Sequence, residues 1–187
     1  MKNFITFEGG EGTGKSTQAK LLYKAIHKIS KNAILTREPG GTVQSETLRN
    51  LVVKKKFRWD SLTELLLFNA ARHEHIKNLI IPELKKKKII ICDRYIDSTY
   101  VYQVKVQNVQ KKYFSILNKI IVKNILPQVT FLIDLDPQIG IKRSLKRKKN
   151  TDIKFETYDL NFHKKIRKSF LRLSKSEKRI IVINGNK

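Results

Sequence analysis

The sequence predicts an α/β fold, a three-layer sandwich in which a five-stranded parallel sheet carries helices on both faces. Three observations predict it. Short apolar runs at residues 4–7, 33–36, 89–92, 129–133 and 180–183 have the length and composition of buried strands. Segments with helical apolar spacing alternate with them, and such alternation implies parallel strands joined by covering helices. Between the first run and the first amphipathic segment lies Gly9-Gly10-Glu11-Gly12-Thr13-Gly14-Lys15-Ser16-Thr17, a glycine-rich strand-to-helix connection.

That connection fits the spacing of a glycine, four residues, then Gly14-Lys15-Ser16, and reads as a phosphate-binding loop. Its four glycines let backbone N–H groups approach phosphate oxygens with no Cβ in the way. The helix N-terminus adds positive potential, Lys15 reaches the outer phosphates as a point charge, and the Ser16 hydroxyl is placed to ligate magnesium. The first strand is therefore central, and Leu21, Leu22, Ala25, Ile26 and Ile29 mark the helix that covers it.

The second strand, 33–36, is closed by Arg37-Glu38-Pro39-Gly40-Gly41, which cannot continue regular structure. Ligands of open α/β sheets bind at such strand ends. A helix over 45–53 carries an exposed Arg49 near the same edge, and a longer helix over 61–81 ends at Pro82. Phe68 and Arg72, four apart, share a face of that helix. Taken alone they read first as a core aromatic beside a surface arginine, with part of a site as the alternative. Lys85 to Lys88 reads as a solvated connection. The third strand, 89–92, ends in Asp93-Arg94-Tyr95, a charged pair that packing seldom needs at a strand's carboxyl end. A helix over 108–125 is stopped by Pro127, and the fourth strand, 129–133, ends in Asp134. Asp136-Pro137 has the pattern of an N-cap followed by proline at the first helical position. The helix it opens enters a run with six basic residues in eight, Lys142 to Lys149, either a solvated face or a mobile lid over phosphates. Phe162, Ile166, Phe170 and Leu173 form a last helical stripe before the fifth strand, 180–183.

At 187 residues the chain is one domain with enough length for a sizeable core. Its single cysteine, Cys92, excludes an internal disulfide framework. No secretory pattern opens the chain and no apolar run approaches the roughly 20 residues of a membrane span, so a soluble cytoplasmic protein with no membrane partner is expected. The net charge of +24 invites a nucleic-acid reading, but the lysines spread over the whole chain and form a solvated surface, so no specific nucleic acid is expected.

Four segments together resemble the bacterial thymidylate kinases: Phe-Glu-Gly-Gly-Glu-Gly-Thr-Gly-Lys-Ser at 7–16, Thr-Arg-Glu-Pro-Gly-Gly at 36–41, Leu-Phe-Asn-Ala-Ala-Arg at 67–72 and Cys-Asp-Arg-Tyr-Ile-Asp-Ser-Thr at 92–99. The resemblance runs in order through nearly the whole chain, and it implies the P-loop nucleotide kinase fold with a mobile basic lid at about 142–156. It implies ATP and Mg2+ as cofactors, dTMP as substrate and a homodimer as the assembly. Phe68 then stacks on thymine, Arg72 hydrogen-bonds its edge, Thr99 and Gln103 serve the base, Tyr102 lies near the sugar, and Arg37, Arg49 and Arg94 face the monophosphate. Glu38 and Ser98 complete the substrate set. Glu11 lies near the sugar hydroxyl or the metal, and Asp93 lies beside the transferring phosphate. An acid and no arginine in the loop is similar to the subgroup whose lid supplies the catalytic cation, which makes Arg143, Arg147 and Lys154 candidates.

Four features depart from the family's pattern. Val104 stands where glycine is usual, Lys105-Val106-Gln107 replaces a glycine-rich loop, Lys154 stands for an arginine, and a helix usual after the fifth strand is expected to be missing beyond Lys187.

The reaction implied is transfer of the γ-phosphoryl of ATP to the 5′-phosphate of dTMP. It needs two anions in line and charge neutralised on the moving group, with no general base because a phosphate oxygen is already ionised. The four histidines read as solvated or core residues. A kinase for another nucleoside monophosphate would lack the set at Phe68, Arg72 and Thr99. A nucleic-acid-dependent ATPase would end an apolar strand in paired acids, whereas Asp93 is followed by Arg94.

Overall fold

The computed structural model describes residues 3–54, 56–146, 155 and 158–186. Its five strands are β1 (Phe4–Glu8), β2 (Ala33–Arg37), β3 (Ile89–Asp93), β4 (Val129–Asp134) and β5 (Ile180–Asn184), all parallel, in the order β2-β3-β1-β4-β5. The chain leaves β1 toward β2 on one side and leaves β3 toward β4 on the other. The crevice between the carboxyl ends of β1 and β3 is therefore a topological switch point, where open α/β sheets hold ligands.

Side-chain alternation along the strands builds the two outer layers. Phe4, Ile90 and Cys92 turn to one face and pack with Tyr95, Ile76, Ile80 and Val122. Ile5, Phe7, Ile89 and Ile91 turn to the other and meet Ala19, Leu22, Tyr23 and Ile26 of α1 (Lys15–Ser30). Leu21 and Ile29, expected in this stripe, are 54% and 88% exposed. A helix lying on one face of a sheet buries a narrower arc than the sequence pattern offers. A third cluster joins Leu132 and Ile180 to Ile166 and Phe170 of α8 (Leu160–Ser176), whose N-cap Asp159 accepts from the Phe162 N–H at 2.7 Å.

Helix α2 (Val43–Val53) begins at the Thr42 cap and packs on α3 (Ser61–His75). Pro82 does not end this helix, contrary to expectation. The chain widens into a π-helical turn at Ile76–Ile80 and continues as α4 (Ile81–Lys85). A proline clashes with the carbonyl four residues back, and the wider turn gives that carbonyl room. A helical segment that the sequence did not announce follows β3, as α5 (Ile96–Thr99) and a π-helical stretch at Tyr100–Val106. Val104 is buried inside that stretch, and the left-handed residue lies later, at Asn108 with φ 61°. The glycine usual at 104 is thus not needed here for a turn. The expected helix over 108–125 starts only at α6 (Lys111–Leu117) and runs through a π-helical turn to Val122. It ends at Lys123 with φ 52°, four residues before Pro127. The Asp136 cap on α7 (Pro137–Lys146) forms as the sequence implies, its Oδ1 accepting from the Gln138 N–H at 2.8 Å.

Candidate active site

The loop after β1 turns on glycines in conformations closed to other residues: Gly9, Gly12 and Gly14 have φ of 144°, 66° and 95°. A Cβ on Gly12 would stand 1.8 Å from the Gly140 carbonyl oxygen, and one on Gly140 would stand 2.4 Å from that of Glu11. This pair of glycines lets α7 lie directly against the loop, and only its first member was legible as functional. Thr13 Oγ1 donates to the Gly10 carbonyl at 3.1 Å, and Lys15 Nζ donates to the same carbonyl at 3.0 Å. Burial, and next the charge of Arg94, lowers the Lys15 pKa. The Ser16 hydroxyl donates to Asp93 Oδ2, while Asp93 Oδ1 is buried without a protein partner among the described residues. Thr17 is exposed on the first turn of α1.

Arg94 is the hub of the crevice. It sits at φ 69°, a left-handed conformation costing a non-glycine residue roughly 1–2 kcal/mol. The fold holds it there with a backbone bond from its N–H to the Phe7 carbonyl at 2.9 Å. Its Nη1 donates to Gly9 O and Ser98 Oγ at 3.1 and 2.9 Å. Its Nη2 donates to Glu11 Oε1 at 2.8 Å and to the Tyr102 hydroxyl at 3.4 Å. Tyr102 in turn donates to Glu11 Oε1 at 3.0 Å. Burial would raise the Glu11 carboxyl, but Arg94 and Lys15 outweigh it and hold its pKa at about 2. Burial would lower Arg94, and the facing Glu11 and Tyr102 more than offset that, keeping the guanidinium charged.

Sequence reasoning passed over Glu8, although it lies within the loop motif. It is 1% exposed, and its Oε1 accepts from the Tyr95 and Ser98 N–H groups at 2.8 and 3.2 Å. Its Oε2 meets the Ser98 hydroxyl at 2.5 Å. Burial, followed by repulsion from Asp97, lifts its pKa from 4.5 to about 7. Glu8 thus ties the end of β1 to the start of α5 and so fixes Ser98 against Arg94.

A cleft of about 540 Å³ opens beside this hub, lined by Glu11, Lys15, Arg37, Glu38, Arg49, Phe68, Arg72, Asp93, Arg94, Ser98, Thr99, Tyr102 and Gln103. Residues from five segments therefore share one cavity. Arg72 is 2% exposed, so it is not the surface arginine that the pair taken alone suggests. Its Nε donates to Glu38 Oε2 at 2.7 Å and its Nη2 to Thr99 Oγ1 at 2.9 Å. Its Nη1 and Gln103 Nε2 are buried with no protein partner among the described residues, two donors left at the cleft wall. Phe68, Tyr102 and Phe155 form an aromatic wall, with Phe155 5.5 Å from the Tyr102 ring and 6.3 Å from that of Phe68. Nothing in the sequence pattern had marked Phe155.

One arginine differs from expectation. Arg49 is half-buried, not exposed, and its Nη1 donates to the Pro39 carbonyl at 2.9 Å. Burial, and next the charge of Arg37, lowers its pKa. Arg37 lines the cleft but pairs through Nη2 with both oxygens of Glu46, at 3.0 and 2.8 Å. Arg143 is exposed, its Nη1 3.4 Å from the Gly185 carbonyl that accepts from it. Arg147 and Lys154 lie outside the described residues, as does most of the expected lid.

Comparison with known proteins shows what the chain is similar to. A family model described as thymidylate kinase matches residues 7–187. The thymidylate kinase of Aster yellows witches'-broom phytoplasma is 42% identical over 187 residues, covering 98% of this chain and 89% of that protein. That of Wolbachia pipientis subsp. Culex pipiens is 44% identical over 186 residues, covering 97% and 86%. The crystal structure of thymidylate kinase from Ehrlichia chaffeensis superposes with a TM-score of 0.79 at 38% identity, covering 97% of this chain and 87% of that one.

Proposed function

The chain belongs to the thymidylate kinase family and phosphorylates dTMP to dTDP, and we propose that it does so with dTMP in the cleft between Phe68 and Arg94 and ATP on the glycine-rich loop. The observation that carries the placement is the pair of unpartnered donors, Arg72 Nη1 and Gln103 Nε2, beside the aromatic wall of one cavity. A flat base with carbonyl edges satisfies both features. Phe68 takes the ring face, and Arg72 and Gln103, with Thr99 holding the guanidinium, take the base edge. Glu11 and Tyr102 then bound the sugar, and Arg94 and Arg49, with Arg37, face the 5′-phosphate.

ATP fits the cradle that Gly9, Gly10, Gly12 and Gly14 leave free of Cβ atoms, with Lys15 directed to its outer phosphates. For magnesium, the Ser16 hydroxyl and the orphaned Asp93 Oδ1 form a fitting oxygen pair. Glu11 is committed to Arg94 and Tyr102 and suits the sugar side better. Magnesium, when held there, would supply positive charge that neutralises the phosphates. Lys15 and Arg94 hold the donor and acceptor phosphates in line, and the buried charges around Arg94 keep it cationic whatever the pH. The lid, about 142–156, supplies a further cation from Arg143, Arg147 or Lys154.

We place the enzyme in the cytoplasm, with its substrates. Among the described residues no helix is long and apolar enough to cross a membrane. A homodimer is supported by the exposed Leu66, Ile116 and Ile120, near a groove lined by Leu48, Ala70, Leu117 and Ile121. ADP release measured over dTMP, dUMP, dCMP and their ribonucleotides tests the assignment. Efficiency for dTMP should exceed that for dUMP by roughly 10- to 200-fold, the worth of a methyl group in a fitted pocket. Equal efficiency for dTMP, dUMP and dCMP would remove the base-reading set.

A further inference from the structure

We infer that His75 is a positioning residue for base recognition, acting through Glu38 to hold the Arg72 guanidinium at the cleft wall. The inference rests on the reading of Arg72 as the group that meets the base.

His75 is fully buried on the last turn of α3, three residues beyond Arg72. Its Nδ1 lies 3.0 Å from Glu38 Oε1 and its Nε2 2.7 Å from Thr36 Oγ1. The other carboxylate oxygen of Glu38 takes Arg72 Nε. Thr36, His75, Glu38, Arg72 and Thr99 therefore form one buried chain of hydrogen bonds. The loop after β2 closes on it: a Cβ on Gly41 would stand 2.6 Å from His75 Nε2 and 2.5 Å from Thr36 Oγ1.

Each link has one function. A guanidinium is planar, so fixing Nε on Glu38 and Nη2 on Thr99 sets the direction of the free Nη1. Glu38 can fix Nε only if its own carboxylate cannot turn, and His75 supplies the second grip. With Nδ1–H donating to Glu38, Nε2 accepts from the Thr36 hydroxyl, which anchors the ring to the end of β2. Without His75, Glu38 Oε1 is buried without a partner, and the carboxylate turns and takes Arg72 with it. Because Nη1 is a donor, its direction separates a base presenting a carbonyl at its far edge from one presenting an amino group.

The test compares kcat and KM for dTMP, KM for ATP, and the ratio of catalytic efficiencies for dTMP and dCMP. The proteins are wild type, His75→Leu, His75→Asn and Arg72→Ala. His75→Leu fills the space without the donor and should raise KM for dTMP and lower the dTMP to dCMP ratio, each by roughly tenfold, with KM for ATP unchanged. His75→Asn, whose amide donor falls near the place of Nδ1, should restore most of the ratio. An unchanged ratio in His75→Leu, or an asparagine variant no better than leucine, overturns the inference. Should the leucine variant fail to fold, His75→Gln replaces it, because its amide reaches Thr36 and not Glu38. Equal ratios in the glutamine and asparagine variants then overturn it. Arg72→Ala keeps the two readings apart. If it retains the wild-type ratio, the base-pocket reading falls; if it alone loses the ratio, only the role of His75 falls.

Discussion

Replacing Glu8 with glutamine tests how the crevice is assembled. In the folded protein the carboxyl keeps its proton up to about pH 7, whereas the unfolded chain releases it near 4.5. The folded state therefore binds more protons over that window, and stability falls as pH rises through it. Each pH unit of the window is worth about 1.4 kcal/mol, so the loss from this group approaches 3 kcal/mol by pH 8. Below pH 4.5 the contribution is fully present. Glutamine keeps an oxygen for the Tyr95 and Ser98 N–H groups and offers an N–H to the Ser98 hydroxyl, mimicking the protonated acid. Urea denaturation of both proteins at pH 5, 6, 7 and 8 isolates the effect, since repulsion from the net charge of +24 is nearly common to both. The variant should match wild type near pH 5 and exceed it by up to about 3 kcal/mol at pH 8. A stability difference that stays constant with pH would refute the account of Glu8.

Further outcomes follow from the same geometry. Lys15→Ala removes the cation aimed at the ATP phosphates, and turnover should drop by roughly two to three orders of magnitude; a variant keeping a third of wild-type turnover would undo the loop assignment. Arg94→Lys keeps a charge but cannot reach the Gly9, Ser98, Glu11 and Tyr102 partners together, so turnover should fall by at least about tenfold. DNA binding driven by the diffuse positive charge should vanish near physiological salt in a fluorescence titration. Submicromolar affinity there would point to a nucleic-acid partner.

Strands were legible because a buried parallel strand is an uninterrupted apolar run, and all five fall within one residue of where the pattern puts them. Helix ends were less legible. Pro82 and Pro127 read as stops, yet a π-helical turn absorbs the first and a left-handed Lys123 precedes the second. The segment at 96–106 escaped because polar Asp97, Thr99 and Gln103 are buried among apolar Ile96, Val101 and Val104, serving the cleft and the Arg179 ion pair, so its inward side carries no clean apolar stripe. Arg72 and Glu38 could be named from their motifs, but their burial depends on His75 and Thr36. That pairing joins residues 39 positions apart and leaves no local pattern. Phe155 and Gly140 are likewise defined only by what packs against them.

A crystal structure of the protein with dTMP would show where the nucleotide lies. The thymine ring should lie on Phe68, its 4-carbonyl within about 3 Å of Arg72 Nη1, and the 5′-phosphate at Arg94 and Arg49. A thymine ring seated on the glycine-rich loop, or a phosphate at Arg72, would contradict this placement.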